Sequence, residues 1–177
     1  GKLGYQYIGF ADHSQSAAYA GGLTPADIDR QHNEMERVQT KSDGIRILKG
    51  IESDILGDGS LDYDEETLKR FDFVIASIHS KLNMQEKEAT NRVLAAIGNP
   101  FTTILGHPTG RLLLSREGYP LDMDAVFEAC AKHRVALEIN ANPHRLDLDW
   151  RLIRRAKERG VKFCIGPDAH SVEGLND

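Results

Sequence analysis

A chain of 177 residues, 40% hydrophobic and 28% charged, has the material for one domain with an apolar core, spanning residues 1–177. Its formal net charge of −5 argues against a protein that coats nucleic acid by bulk attraction, because duplex binding draws on clustered Lys and Arg that release counterions. The two cysteines, Cys130 and Cys164, stand in no zinc or disulfide spacing and are expected as buried thiols; no apolar run reaches the roughly 18 residues of a membrane span, so the chain reads as soluble and cytoplasmic.

In chain order, the opening GKLGYQY carries no initiator Met, and Lys2 to Tyr5 is predicted as the tail of a helix turning through Gly4 into a strand. The chain therefore reads as a fragment that begins inside a domain. Short apolar runs at 7–11, 46–51, 73–78, 102–105, 135–139 and 162–165 predict strands. Between them, 25–41, 84–97, 122–133 and 149–159 carry helical patterns. Thr24, Asp122 and Asp149 are placed to cap, Pro25 to open the first helix, and Gly98 and Gly160 to stop two others. The β-α alternation predicts an α/β domain with a parallel sheet and helices outside, open or closed into a barrel.

Each predicted strand continues into an acid or imidazole: Asp12 and His13, Glu52, His79, His107, Glu138 to Asn140, and Asp168 with His170. Parallel strands in an α/β barrel bring these ends to one rim. Imidazoles mixed with carboxylates suit Zn²⁺, Mn²⁺ or Fe²⁺ better than an all-oxygen set would. The i, i+2 spacing of Asp168 and His170 would put both on one face of extended backbone. His32, inside a helix, and His133, at a helix end, read as ordinary structural residues, while His144, in a loop, leans that way with the ligand reading left open. Asp54 shares the face of Glu52 but lies in an acidic stretch that reads as a surface loop, so it is expected at most to support a ligand. Arg111 and Arg145 follow strand-end loops, and their planar forks match phosphate oxygens as well as neighbouring acids; Lys81 is a weaker third cation. A P-loop, GxGxxG or GxSxG segment is absent from the sequence.

ADHS, GIESDI, ASIHS, GHPTGR, LEINANPHRLDLD and PDAHS, in this order over nearly the whole chain, resemble the PHP (polymerase and histidinol phosphatase) domain, above all that of bacterial family X DNA polymerases. The resemblance implies a distorted (β/α)7 TIM-like barrel whose first strand is absent from this chain, holding up to three divalent ions, Zn²⁺ or Mn²⁺. It implies catalysis through Glu52, His79, His107 and Asp168: Glu52 would bridge two ions, one also taking His79 and His107, the other Asp168, while His13 and His170 would serve a third. Arg111 or Arg145 would hold substrate phosphate. The implied activity is metal-dependent trimming of DNA 3′ ends delivered by an attached polymerase module. The family's His-x-His ligand pair is not in this chain, so weak activity is expected of the chain alone. Two rivals stand: a stand-alone phosphatase for a small phosphomonoester such as histidinol phosphate, and a non-catalytic scaffold.

Overall fold

A computed structural model describes residues 4–176, in which strands and helices alternate along the chain. They are β1 (Tyr7–His13), α1 (Pro25–Gln39), β2 (Arg46–Asp54), α2 (Glu65–Leu68), β3 (Phe73–Ser77), α3 (Glu86–Ile97), β4 (Ile104–Leu105), α4 (Met123–His133), β5 (Ala136–Asn140), α5 (Trp150–Glu158) and β6 (Phe163–Gly166). The predicted helical turn before β1 falls in part on Lys2 and Leu3, outside the described residues.

The caps form where the sequence puts them. Thr24 accepts from the Asp27 amide in a capping box with Pro25 behind it, while Asp122 and Asp149 accept from first-turn amides of α4 and α5. Gly160 takes a left-handed φ of 81° just past α5, as a helix stop requires, whereas Gly98 caps α3 in the right-handed region.

All described strand pairs are parallel and the sheet order is β1-β2-β3-β4-β5-β6, a curled half-barrel that fits a TIM-like fold. The described residues hold six strands, at the six places the sequence predicts, and β1 and β6 remain as edges. Between sheet and helices lie Ile51, Val74, Leu105 and Leu137 from the strands against Ile28, Val93, Ile97, Val126, Phe127 and Ala156 from the helices, all essentially buried. Each of these side chains larger than Ala156 contributes about 1.5–3 kcal/mol. Cys130 belongs to this core; Cys164, expected to be buried, is only half-buried, because β6 is an edge strand.

β2 runs three residues beyond the predicted 46–51, since its ladder with β3 continues to the Asp54–Ser77 pair. Polar residues there end the apolar signal without ending the strand. β4 shrinks from the predicted 102–105 to its last two residues because Thr102 is still tied to the end of α3, its N–H donating to Asn99 O and its hydroxyl to Ala96 O. No helix among the described residues is long and apolar enough to cross a membrane.

Candidate metal centre

Strand register assembles the site. His13, the last residue of β1, pairs with Glu52 on β2, and the next parallel strand carries the chain through Ser77 to His79. Glu52 Oε1 lies 3.1 Å from His107 Nε2 and 3.3 Å from His79 Nε2, and the two Nε2 atoms lie 3.1 Å apart. Bonds of ~2.0–2.1 Å to one tetrahedral ion would set its ligands about 3.3 Å apart. On the other carboxylate oxygen, Oε2, His13 Nδ1 stands at 3.4 Å. His13, Glu52 and His79 each offer a ligand atom, all within 4.8 Å of one another. Buried Nδ1 atoms of His13 and His107 have no hydrogen-bond partner, which leaves donor atoms without satisfaction from protein. Imidazole and carboxylate donors so arranged fit a divalent ion of the Zn²⁺ or Mn²⁺ class.

Around this triangle the supports are carboxylates. His79 Nδ1 donates to Asp54 Oδ1 at 2.6 Å, so Nε2 is the nitrogen turned to the triangle. Asp54 is 5% exposed, and its Oδ2 accepts from Ser16 Oγ at 2.8 Å. It is thus a buried orienting group, deeper than its acidic surroundings in sequence suggest. Burial alone raises the Glu52 pKa, but hydrogen bonds from His107 and His79 outweigh it and hold the carboxyl well below its usual range. Burial alone lowers the His79 pKa, yet its bonds to Asp54 and Glu52 raise it to about 9. Glu138 accepts from the His107 backbone N–H, and its burial pushes its pKa up to about 7.

Asp168 is held at the opposite side: its Oδ2 accepts from Asn140 Nδ2 and from Arg145 Nε, each at 3.1 Å. Its φ of 51° breaks the extended backbone that the 168–170 spacing assumes. His170 consequently turns outward, 74% exposed, with Nδ1 2.8 Å from the Asp168 carbonyl and 3.8 Å from its Oδ1, so the two stay close without the extended backbone expected. His107 and Asp168, two candidate ligands, both hold positive φ, a conformation that costs of order 1–3 kcal/mol and gathers at functional sites.

The two arginines part company. Arg111 donates through Nε to Arg145 O, through Nη1 to Asp149, and through Nη2 to Leu146 O, so its fork is committed to the loop after β5. Arg145 keeps a buried Nη1 with no partner. Asp147, wholly buried, accepts from Thr109 N, Thr109 Oγ1 and Gly110 N, tying the loops after β4 and β5 together. Asn140 stands at the strand end where the sequence puts it, whereas Asp147 escaped sequence reading although it lies in the LEINANPHRLDLD stretch.

No family model matches the chain. It is 46% identical over 176 residues to the DNA polymerase/3′-5′ exonuclease PolX of Bacillus subtilis strain 168, covering 99% of this chain and 31% of that protein. A probable phosphatase of Thermoanaerobacter sp. strain X514 is 31% identical over 179 residues, and one of Clostridium acetobutylicum 32% identical over 178; the chain covers 68% of each. The chain belongs to the family of these probable phosphatases. Its homology to them and to the PolX exonuclease supports a PHP-type domain with the hydrolase character of both sets of relatives.

Proposed function

We propose that this chain is the metal-dependent phosphoesterase part of a family X DNA polymerase, hydrolysing phosphodiesters at DNA 3′ ends presented by a polymerase module in the cytoplasm. The observation that carries the reading is the convergence of Glu52 Oε1, His79 Nε2 and His107 Nε2 within 3.1–3.3 Å of one another. The PolX relative, whose length the chain spans to 31%, supports the choice of substrate.

In this reading Glu52 offers one oxygen to an ion shared with His79 and His107 and the other toward the side where His13 stands. Asp168 would serve a second ion, and His13 a third together with His170 if its outward ring turned in. Bound divalent ions supply Lewis acidity toward phosphoryl oxygens and a source of hydroxide at neutral pH. Asp54 keeps the His79 ring turned inward, and Asn140 and Arg145 fix the Asp168 carboxylate. The free Nη1 of Arg145 is the group best supported as the holder of a non-bridging phosphate oxygen; Arg111 positions Arg145 by binding its carbonyl.

Incubation of the full-length protein with Mn²⁺ and a 3′-recessed duplex is expected to release nucleotides, and Glu52→Ala to abolish release. Hydrolysis of histidinol phosphate alone would instead favour the stand-alone phosphatase, a reading that the 68% coverage of the probable phosphatases keeps specific. Hydrolysis of neither, with intact fold, would leave only the scaffold role.

A further inference from the structure

After β1 the chain makes a tight excursion that returns at Leu23, and a single 3-10 turn, Ala18–Ala20, stands at its tip. Ala17 N donates to Ser14 O, Gly22 N to Ala17 O and Leu23 N to His13 O, at 2.9–3.2 Å. Ser16 donates from its amide to Asp62 and from its hydroxyl to Asp54, Tyr63 Oη donates to Leu23 O, and Ala17 is wholly buried. Gly21 supplies a φ of 70°, and a Cβ on Gly22 would stand 2.0 Å from Ser14 O, so the path admits only glycine there.

On this rigid turn the Tyr19 side chain is 75% exposed. Its ring centroid lies 6.3 Å from that of His13, tilted by 49°, and its hydroxyl makes no hydrogen bond among the described residues. The phenol pKa is raised by partial burial and then by the Asp54 and Glu52 carboxylates, while Arg145 and Arg116 pull it down. Tyr19 thus stands beside His13, at the edge of the candidate ligand cluster. A hydrogen-bonded turn that holds an aromatic face in water, beside the candidate metal centre, has the form of a stacking platform.

We propose that Tyr19 is a substrate-contacting residue whose ring stacks on the planar heteroaromatic base of the nucleotide whose phosphate Arg145 and the metal centre receive. This rests on the phosphoesterase reading and adds the recognition of a base to that of the phosphate.

The test compares equilibrium binding of 2′-deoxyadenosine 5′-monophosphate, 2-deoxyribose 5-phosphate and inorganic phosphate to the Mn²⁺-loaded protein by calorimetry. Stacking predicts that the base tightens binding over the base-free sugar phosphate by about 5- to 150-fold. Tyr19→Phe is expected to keep that ratio and Tyr19→Ala to bring it within about twofold of unity, the scale of a lost stacking contact. A wild-type ratio near one, with all three ligands bound, overturns the stacking role and leaves the phosphoesterase reading intact; so does a ratio that survives Tyr19→Ala. Failure of all three ligands to bind overturns the reading itself and the inference with it.

Discussion

A single proton decides how the centre behaves without metal. His79 is buried between Asp54 and Glu52, and its pKa rises to about 9 from an ordinary value near 6.5. A folded-state value above the unfolded one means that its contribution to stability is complete below about pH 6.5 and is lost as pH climbs through about 9. An incoming ion must displace the same proton, so Mn²⁺ affinity is expected to rise between pH 6.5 and 9; calorimetric titrations at three pH values would show it, and a flat profile would remove His79 from the ligand set. Asp54→Asn keeps the shape but weakens the acceptor on Nδ1, and is expected to weaken metal binding about 10- to 100-fold with the circular dichroism spectrum unchanged. His13, Glu52, His79 and His107 were legible in sequence because each ends an apolar strand. The burial of Asp54 and the part played by Asp147 were not: whether a polar residue is buried depends on which loop covers it, and Ser16 and Thr109 lie 38 residues from their partners Asp54 and Asp147. The outward turn of His170 was hidden for a related reason, since spacing fixes a shared face only while the backbone stays extended.

Elements are locked to one another at a few crowded points. Gly50 on β2 leaves room for the Phe73 ring of β3: a Cβ there would come within 2.1 Å of the ring edge. Gly50→Ala is therefore expected to destabilise the protein by about 1–3 kcal/mol in denaturant titration, with part of the loss recovered when Phe73→Leu is added. If the single substitution were neutral, the ring would have another place to go. Behind the site, buried Arg92 of α3 donates to Leu56 O at 2.8 Å, to Ser80 O at 3.0 Å and to Ile55 O, joining the segment after β2 to the residue after His79. Arg92→Leu strands three carbonyls, at about 1–3 kcal/mol for each that water does not reach, and should lower the melting temperature steeply; Arg92→Lys, lacking the fork, should recover little. Helix positions followed from caps and periodicity. Such tertiary pins did not, because glycine and arginine have many reasons to occur and only the folded neighbours say which applies.

At the scale of the molecule, the sheet delivers its chemistry to one rim while its two outer strands remain edges. The helices bury one face of the sheet, and the centre collects charged groups on the rim where helices give no cover. Stability and metal loading should therefore be coupled: at an ion concentration about 100 times Kd, binding to the folded form alone adds about 2.7 kcal/mol, which chelation by EDTA would reverse in a thermal melt. The parallel α/β architecture and its six strands were legible from alternation, whereas how far each strand pairs with its neighbour is a property of pairing that no strand carries by itself. Asp54 carries a consequence of another sort. Its two oxygens face opposite ways, one to His79 and one to Ser16, so a single carboxylate joins the centre to the turn that bears Tyr19. Fixing the imidazole fixes the carboxylate, and fixing the carboxylate steadies the hydroxyl beyond it. The backbone of residues 16–22 becomes a gauge of occupancy: its amides should exchange with deuterated solvent more slowly once Mn²⁺ is added, and that slowing should vanish in Ser16→Ala.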